Sequence, residues 1–360
     1  MAYTTEGIRN IALAGHSAAG KTTLFEALLH AGGAIQIAGS VERGTTVSDY
    51  DPMEKERKQS LNTVIASIDR GDCHINLIDT PGAADFRGPT LTALAAVETC
   101  AIVVNAHNGI EFGTQRLMHH AKARGLARII VVNKIDGGNA RKVVEELRDV
   151  FGSECLPINL PAQDGKSVVD CFFKPEGVAD FSSVAEAHQR IIDQVVEINE
   201  TVMDHFLDKG EEGLSGQELH DAFEQCLREG HLVPICFVSA RTGAGVKEFL
   251  QIAEKLLPNP SEGNPPPFVK ARKDLEPGAK AYRKLARLGA RVTAPGGLLL
   301  VASCSHNIAP ERFAQECAAG IQRADRRARL IRAAGAGPDH PVHPMLPETA
   351  YLKALVYALD

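Results

Sequence analysis

The sequence predicts an α/β protein: a mostly parallel sheet with an inserted subdomain, followed by a second, smaller α/β fragment. Three observations carry that expectation. Strand-length apolar runs alternate with helical patterns from residue 8 to residue 258, as buried parallel strands joined by helical crossovers require. A long stretch separates the strand starting at 128 from the one starting at 233, which leaves room for an insert. Five prolines crowd into 258-PNPSEGNPPP-267, a composition that marks a stiff boundary.

The elements follow in order. The strand 8-IRNIALAG-15 runs through a glycine turn into the helix 21-KTTLFEALLHA-31, where Leu24, Leu28 and Leu29 share helical spacing. The polar stretch 40–63 is too charged for a core element and long enough for a functional loop. Strands 63-TVIASID-69 and 74-HINLID-79 come next, the second stopping before Pro81-Gly82. Further strands are expected at 100-CAIVVNA-106, 128-RIIVVNK-134 and 233-VPICFVSA-240, the last followed by the helix 245-GVKEFLQIAEKLLP-258. The insert, about 150–231, holds one helix from Val184 to Leu207 and another from Ser215 to Arg228, opened by a Ser215/Glu218 capping box. Past the boundary come a helix at 278–292, a Pro-Gly-Gly turn, a strand at 298–305, a helix at 309–332 and a strand at 350–359. The expected domains are 1–257, a proline-rich linker 258–270, and 271–360.

Composition narrows the function classes. With 360 residues, 44% hydrophobic and 23% charged, the chain can bury a core and reads as about two domains rather than a disordered or fibrous protein. No apolar run is long enough to span a membrane, and the start MAYTTEGIRN lacks a signal-peptide pattern. Eight cysteines without a CxxC pair read as reduced thiols, so a cytoplasmic location is expected, with neither membrane nor DNA as partner. Residues 1–270 hold 25 basic and 37 acidic side chains, whereas 271–360 hold 14 and 8. The basic tail is a candidate RNA contact, or a solvated surface.

Four short motifs carry the chemistry, each placed after a predicted strand. In 15-GHSAAGKTT-23 the backbone of Gly15, His16, Ser17, Ala18, Ala19 and Gly20 can turn its N–H groups toward phosphate at a helix N-terminus. Lys21 then neutralises the β and γ phosphates, and Thr22, followed by Thr23, offers a hydroxyl to Mg²⁺. In 79-DTPG-82, Asp79 can hold the metal and the Gly82 N–H can meet the γ phosphate, with Thr80 and Pro81 between them. Lys21 and Gly82 are therefore the candidate catalytic residues. In 133-NKID-136, Asp136 can accept both N–H groups of guanine while Asn133 meets its carbonyl edge and Lys134 flanks it, a pairing that adenine does not offer. Ser239, Ala240 and Arg241 supply a final base contact.

With these motifs in place, residues 8–270 resemble the translational GTPases, specifically the G domain of elongation factor G. The long insert after NKID looks like that factor's extra subdomain, and 41-VERGTTVSDYDPMEKERKQSLNT-63 resembles the first switch of a divergent branch. The resemblance implies a P-loop NTPase fold, GTP and Mg²⁺ as cofactors, and a ribosome-linked role. Three positions depart from the family. Ala18 replaces the usual P-loop aspartate, and alignment on Arg57 puts Ser60 where a metal-binding threonine is usual. Ala83 replaces the histidine that orients the attacking water. Phosphoryl transfer depends on positioning and charge stabilisation, so GTP binding with slow hydrolysis is expected.

The tail resembles a different family. Residues 264–306 and 348–359 look like the second half of an RNA cytosine-5 methyltransferase, a partial Rossmann-like fragment, with Asn264 in place of that motif's aspartate. The resemblance points to Cys304 as a candidate nucleophile, beside 265-PPPF-268, while the bland reading of Cys304 is a small buried strand residue. His306 reads as packing or a loop contact. No S-adenosylmethionine loop precedes this fragment, and an apolar sheet edge is expected to be exposed unless the first domain covers it. Three functions stay open: a GTPase joined to a methyltransferase remnant, an S-adenosylmethionine-dependent RNA methyltransferase using Cys304 with the GTPase as a regulatory or fortuitous appendage, and a non-catalytic GTP-dependent binding module.

Overall fold

The computed structural model describes residues 3–198, 200–263, 275–303, 308–335 and 353–360, in two compact units, Met1–Pro266 and Pro267–Asp360. The first unit opens with β1 (Ile8–Gly15), α1 (Lys21–Ala31), α2 (Pro52–Arg57), β2 (Val64–Arg70) and β3 (Cys73–Asp79). It continues with α3 (Arg87–Ala93), β4 (Thr99–Asn105), α4 (Phe112–Ala123), β5 (Ala127–Asn133) and α5 (Ala140–Phe151). The insert supplies β6 (Cys155–Pro157), β7 (Asn159–Ala162), β8 (Ser167–Asp170), α6 (Val184–Val196), α7 (Glu200–Lys209) and α8 (Gly216–Glu229), before β9 (Val233–Phe237) and α9 (Val246–Leu256).

Seven strands form one sheet in the order β2-β3-β1-β4-β5-β9-β6. All neighbours are parallel except β2 and β3, which pair antiparallel across a two-residue turn whose first position, Gly71, has φ 61°. Every residue of β4, β5 and β9 is buried, as expected of strands covered on both faces. Helices α1 and α9 pack on each other and on β3, while α4 packs on β4 and β5. Phe25, Phe237 and Phe249 are fully buried in this core, each side chain contributing about 1.5–3 kcal/mol of transfer free energy. Parallel pairing aligns the C-terminal strand ends: Leu13 faces Asp79, Asn105 faces Asn133, and Val132 faces Phe237. All four motif loops therefore leave the same edge of the sheet, where ligands of open α/β sheets bind.

The insert differs from its sequence reading in two ways. Its first residues form β6, which extends the main sheet beside β9, and then a β7–β8 hairpin. The helix expected from Val184 to Leu207 is two helices, because α6 stops at Val196 with Glu197 as C-cap and α7 begins at Glu200. The buried stripe of α6, including Val184, Ile191 and Val195, packs on α8, whose capping box between Ser215 and Glu218 is formed. The polar stretch also holds the unexpected α2, opened by an Asp51/Glu54 capping box with Pro52 at its first turn.

The second unit contains α10 (Leu275–Val292), β10 (Leu298–Ser303), α11 (Pro310–Gln322), β11 (Ala328–Ala334) and β12 (Lys353–Leu359). Its sheet has the order β10-β12-β11, with β12 antiparallel to both neighbours. Among the described strands of this unit, then, no adjacent pair has the parallel arrangement of a Rossmann-like sheet. Helices α10 and α11 pack together, and Ala286, Phe313 and Ile321 join Val301, Leu355 and Tyr357 in one small core. The helix expected to reach 332 ends at Gln322. After a turn with Asp325 at φ 57°, residues 328–334 pair with β12 instead. Cys304, His306, Asn264 and the segment 265–268 lie outside the described residues.

Candidate functional site

The turn between β1 and α1 is shaped by what surrounds it. Gly20 has φ 90° and lies so close to Asn133 that a Cβ would stand 2.5 Å from its amide nitrogen. Ala18 holds φ 62°, the left-handed region that costs a non-glycine residue about 1 kcal/mol. Lys21 is buried and donates to the carbonyls of Gly15 at 3.1 Å and His16 at 3.0 Å. Burial lowers its pKa to about 8, against the opposing pull of Asp79 and Glu111. Gly82 meets the loop from the end of β3, so close that any Cβ there would collide with the Lys21 Nζ.

Oxygen donors gather beside this lysine. Thr22 Oγ1 donates to Asp79 Oδ2 at 2.8 Å and lies 2.9 Å from Ser60 Oγ, which donates to Asp49 Oδ1 at 2.8 Å. Asp79 Oδ1 is buried and has no hydrogen-bond partner among the described residues. Burial raises the Asp79 carboxyl to about 6, although Lys21 and Thr22 pull it down. Burial likewise raises Asp49. Hydroxyl and carboxylate oxygens around an unsatisfied buried acceptor fit a hard divalent cation such as Mg²⁺, which takes oxygen ligands. Sequence reasoning missed Asp49, because one acidic residue among several in a polar loop carries no spacing signal. It also missed two buried carboxylates that shape that loop. Glu26 accepts from Gly39 N at 2.7 Å and Val47 N at 2.5 Å, and Glu54 accepts from Leu61 N and Asn62 N, both at 2.9 Å.

At the opposite end, Ser239 Oγ donates to Asp136 Oδ1 at 2.7 Å and the Arg241 guanidinium pairs with Oδ2. Partial burial pushes the Asp136 carboxyl up, but these bonds outweigh it and hold the group below its usual range. Asn133 serves as a brace. Its Nδ2 donates to Ala19 O at 3.1 Å, and its Oδ1 accepts from Lys134 N at 2.8 Å and Ala240 N at 3.0 Å. Lys134, itself at φ 67°, donates from Nζ to Ala18 O at 2.9 Å. The loops that follow β1, β5 and β9 are thus tied directly together.

A cavity of about 850 Å³ joins the two ends. Ser17, Ala18, Gly20, Lys21, Thr22, Thr23, Ser60, Thr80 and Gly82 line one part, and Asn133, Lys134, Asp136, Ala240 and Arg241 another. Asp79 and Ser239 stand behind this lining, bonded to Thr22 and Asp136. Gly15, His16, Pro81 and Ala83 instead line a smaller neighbouring pocket of about 130 Å³.

Known proteins resemble this chain in sequence and fold. The sequence profile described as elongation factor Tu GTP binding domain matches residues 6–259. An elongation factor G-like protein of Mycobacterium tuberculosis is 32% identical over 271 residues, covering 71% of this chain and 38% of its own. The tetracycline resistance protein TetW of Butyrivibrio fibrisolvens is 31% identical over 68% of this chain and 36% of its own. Peptide chain release factor 3 of Symbiobacterium thermophilum is 30% identical over 70% of this chain and 51% of its own. A crystal structure of the Thermus thermophilus protein ttk003000868 superposes with a TM-score of 0.64 at 34% identity, covering 71% of this chain and 41% of that one. The chain therefore spans between 36% and 51% of the length of these relatives.

Proposed function

Because the chain belongs to the family of elongation factor Tu GTP-binding domains, a translational GTPase class, we propose that it binds GTP with Mg²⁺ and hydrolyses it slowly to GDP and phosphate. One observation carries this reading: Lys21 and Asp136, 115 positions apart, line a single cavity. Thr22, Ser60 and Asp79, with Asp49 behind Ser60, would hold the metal, which when bound neutralises phosphate charge. The backbone of residues 15–23 and Lys21 would hold the phosphates. Asp136 would select guanine through both of its oxygens, with Ser239 and Arg241 orienting it. The Gly82 N–H would meet the terminal phosphate.

Slow hydrolysis rests on Ala83. Its methyl group has no polar atom to orient a water, and charge positioning is nearly all a protein contributes to this chemistry. A single-turnover assay is expected to show GTP persisting long after binding is complete, and Ala83→His to speed release of phosphate by more than about tenfold. Fast cleavage by the wild-type chain would end this part of the reading. Titration with GTP, GDP and ATP tests the rest, and ATP binding as tight as GTP would refute the guanine site.

The relatives' names, elongation factor G-like and peptide chain release factor 3, favour a role in translation, with the ribosome as partner and the cytoplasm as location. Ala83 also supports a second reading, a GTP-dependent binding module that does not turn over. Equal ribosome affinity in the GTP and GDP states would count against it. The methyltransferase reading of the tail rests on sequence alone, and retention of a labelled methyl donor by the purified chain is its test.

A further inference from the structure

The cavity has a wall that the four motifs do not account for. Residues 38–43 line it alongside Glu26, and they belong to a loop whose shape is closely determined. The loop is fastened at its base, where Glu26 on α1, only 1% exposed, accepts from Gly39 N and Val47 N. Its two limbs run so close that a Cβ on Gly39 would stand 2.6 Å from the Thr46 Cα. Further out, Thr45 N donates to Ser40 O at 3.1 Å, Ser40 N to Thr45 Oγ1 at 3.0 Å, and Gly44 N to Val41 O at 3.1 Å. These bonds close residues 40–45 into a turn, with Gly44 at φ 63° beside Arg43 near its tip.

Arg43 lines the cavity, and among the described residues its guanidinium makes no hydrogen bond or ion pair, only its backbone N–H donating to Ser40 Oγ. The neighbouring Glu42 is held by Ser40 Oγ at 2.9 Å. An exposed arginine on a pre-shaped turn and the buried Lys21 therefore line the same cavity. An arginine fork matches the paired oxygens of a phosphate.

We propose that Arg43 is a phosphate-contacting residue of this nucleotide site, supplying from within the same chain a second cation for the polyphosphate. The proposal rests on the reading of the cavity as a GTP site, and it adds a residue that none of the four motifs contains. Placement on a hydrogen-bonded turn anchored to α1 means that little order has to be created on binding, so the contact contributes to affinity rather than offsetting a loop-ordering loss.

The test is competition against fluorescent GDP on the full chain, with GTP, GDP and guanosine as competitors, for wild type, Arg43→Ala and Arg43→Lys. Arg43→Ala is expected to weaken GTP and GDP about tenfold, the scale of one charge-assisted hydrogen bond, while guanosine changes less than about twofold. Arg43→Lys is expected to recover only part of the loss, because it keeps the charge without the paired fork, and the thermal midpoint without nucleotide to stay where it is. Unchanged GTP and GDP affinity in Arg43→Ala overturns the proposal and leaves the GTP site standing. An equal loss for guanosine also overturns it, because the contact would then be to the nucleoside or to the fold. Failure of the wild-type chain to bind GDP would overturn the site reading itself, and this proposal with it.

Discussion

The two units of this chain cover their sheets differently. In Met1–Pro266 the central strands are buried at every position, and the loops at one sheet edge are left to form a cavity. In Pro267–Asp360 the burial of β10 alternates: Val301 and Ser303 are inside, whereas Leu298 and Leu300 are 63% and 64% exposed. The same building materials give a two-sided sheet in one unit and a one-sided sheet in the other. Covering both faces moves the chemistry to the strand ends, where backbone N–H groups and short loops converge. A sheet covered on one face leaves apolar area as its main surface feature.

Four experiments would break or sharpen that contrast, in falling order of effect. Lys21→Ala should lower GTP and GDP affinity on the order of a thousandfold, the scale of deleting one partner of a buried charged contact, as measured by calorimetric titration. If affinity survives, the first unit's cavity is not the phosphate site. Asp136→Asn should weaken GTP on the order of a hundredfold, two charged hydrogen bonds being altered, and improve xanthosine triphosphate relative to it. Identical selectivity in this variant would separate the base end from the phosphate end.

The pH dependence comes third. Asp79 titrates near 6 because it is buried, and its ionised form is the one that holds a cation. Protons therefore compete with Mg²⁺, and affinity for GTP with Mg²⁺ should fall about tenfold per unit below pH 6. Burial brings Lys21 to about 8, and its protonated form is the one that attracts phosphate, so affinity should decline again above that pH. Titrations across this range should give a bell, and a flat profile would refute the buried pair as its source. Smallest is Leu300→Ser in the second unit, expected to change nucleotide affinity less than about twofold while raising solubility, because it removes exposed apolar area. A large loss of affinity there would show the two units to be coupled.

Much of the site was readable in one dimension. Local backbone chemistry ties GxxxxGKT to a strand, a glycine turn and a helix, and β1 and α1 flank it as expected. The cavity position of Asp136 was legible because its motif follows a buried strand, β5, whose end opens on that cavity. Element boundaries were less legible where charge hid pattern. The Asp51–Pro52–Glu54 signature of α2 is a plain helix start that the surrounding polarity masked. Residues 323-RADRR-327 read as helix by propensity, yet the chain turns there because β11 gains a ladder with β12.

The amino-acid order alone determined that strands alternate with helices, and it supplied the four short motifs and Ala83 on which the proposed nucleotide chemistry rests. These are local properties, set by side-chain period and by the functional groups within each motif. Only the folded chain decided that Asp49 joins Ser60 and Thr22, that Asn133 braces the loop between β1 and α1, and that Glu26 anchors the loop whose Arg43 lines the cavity. Each depends on burial bringing groups distant in the chain within hydrogen-bond reach, where removal from water leaves a polar atom needing a partner.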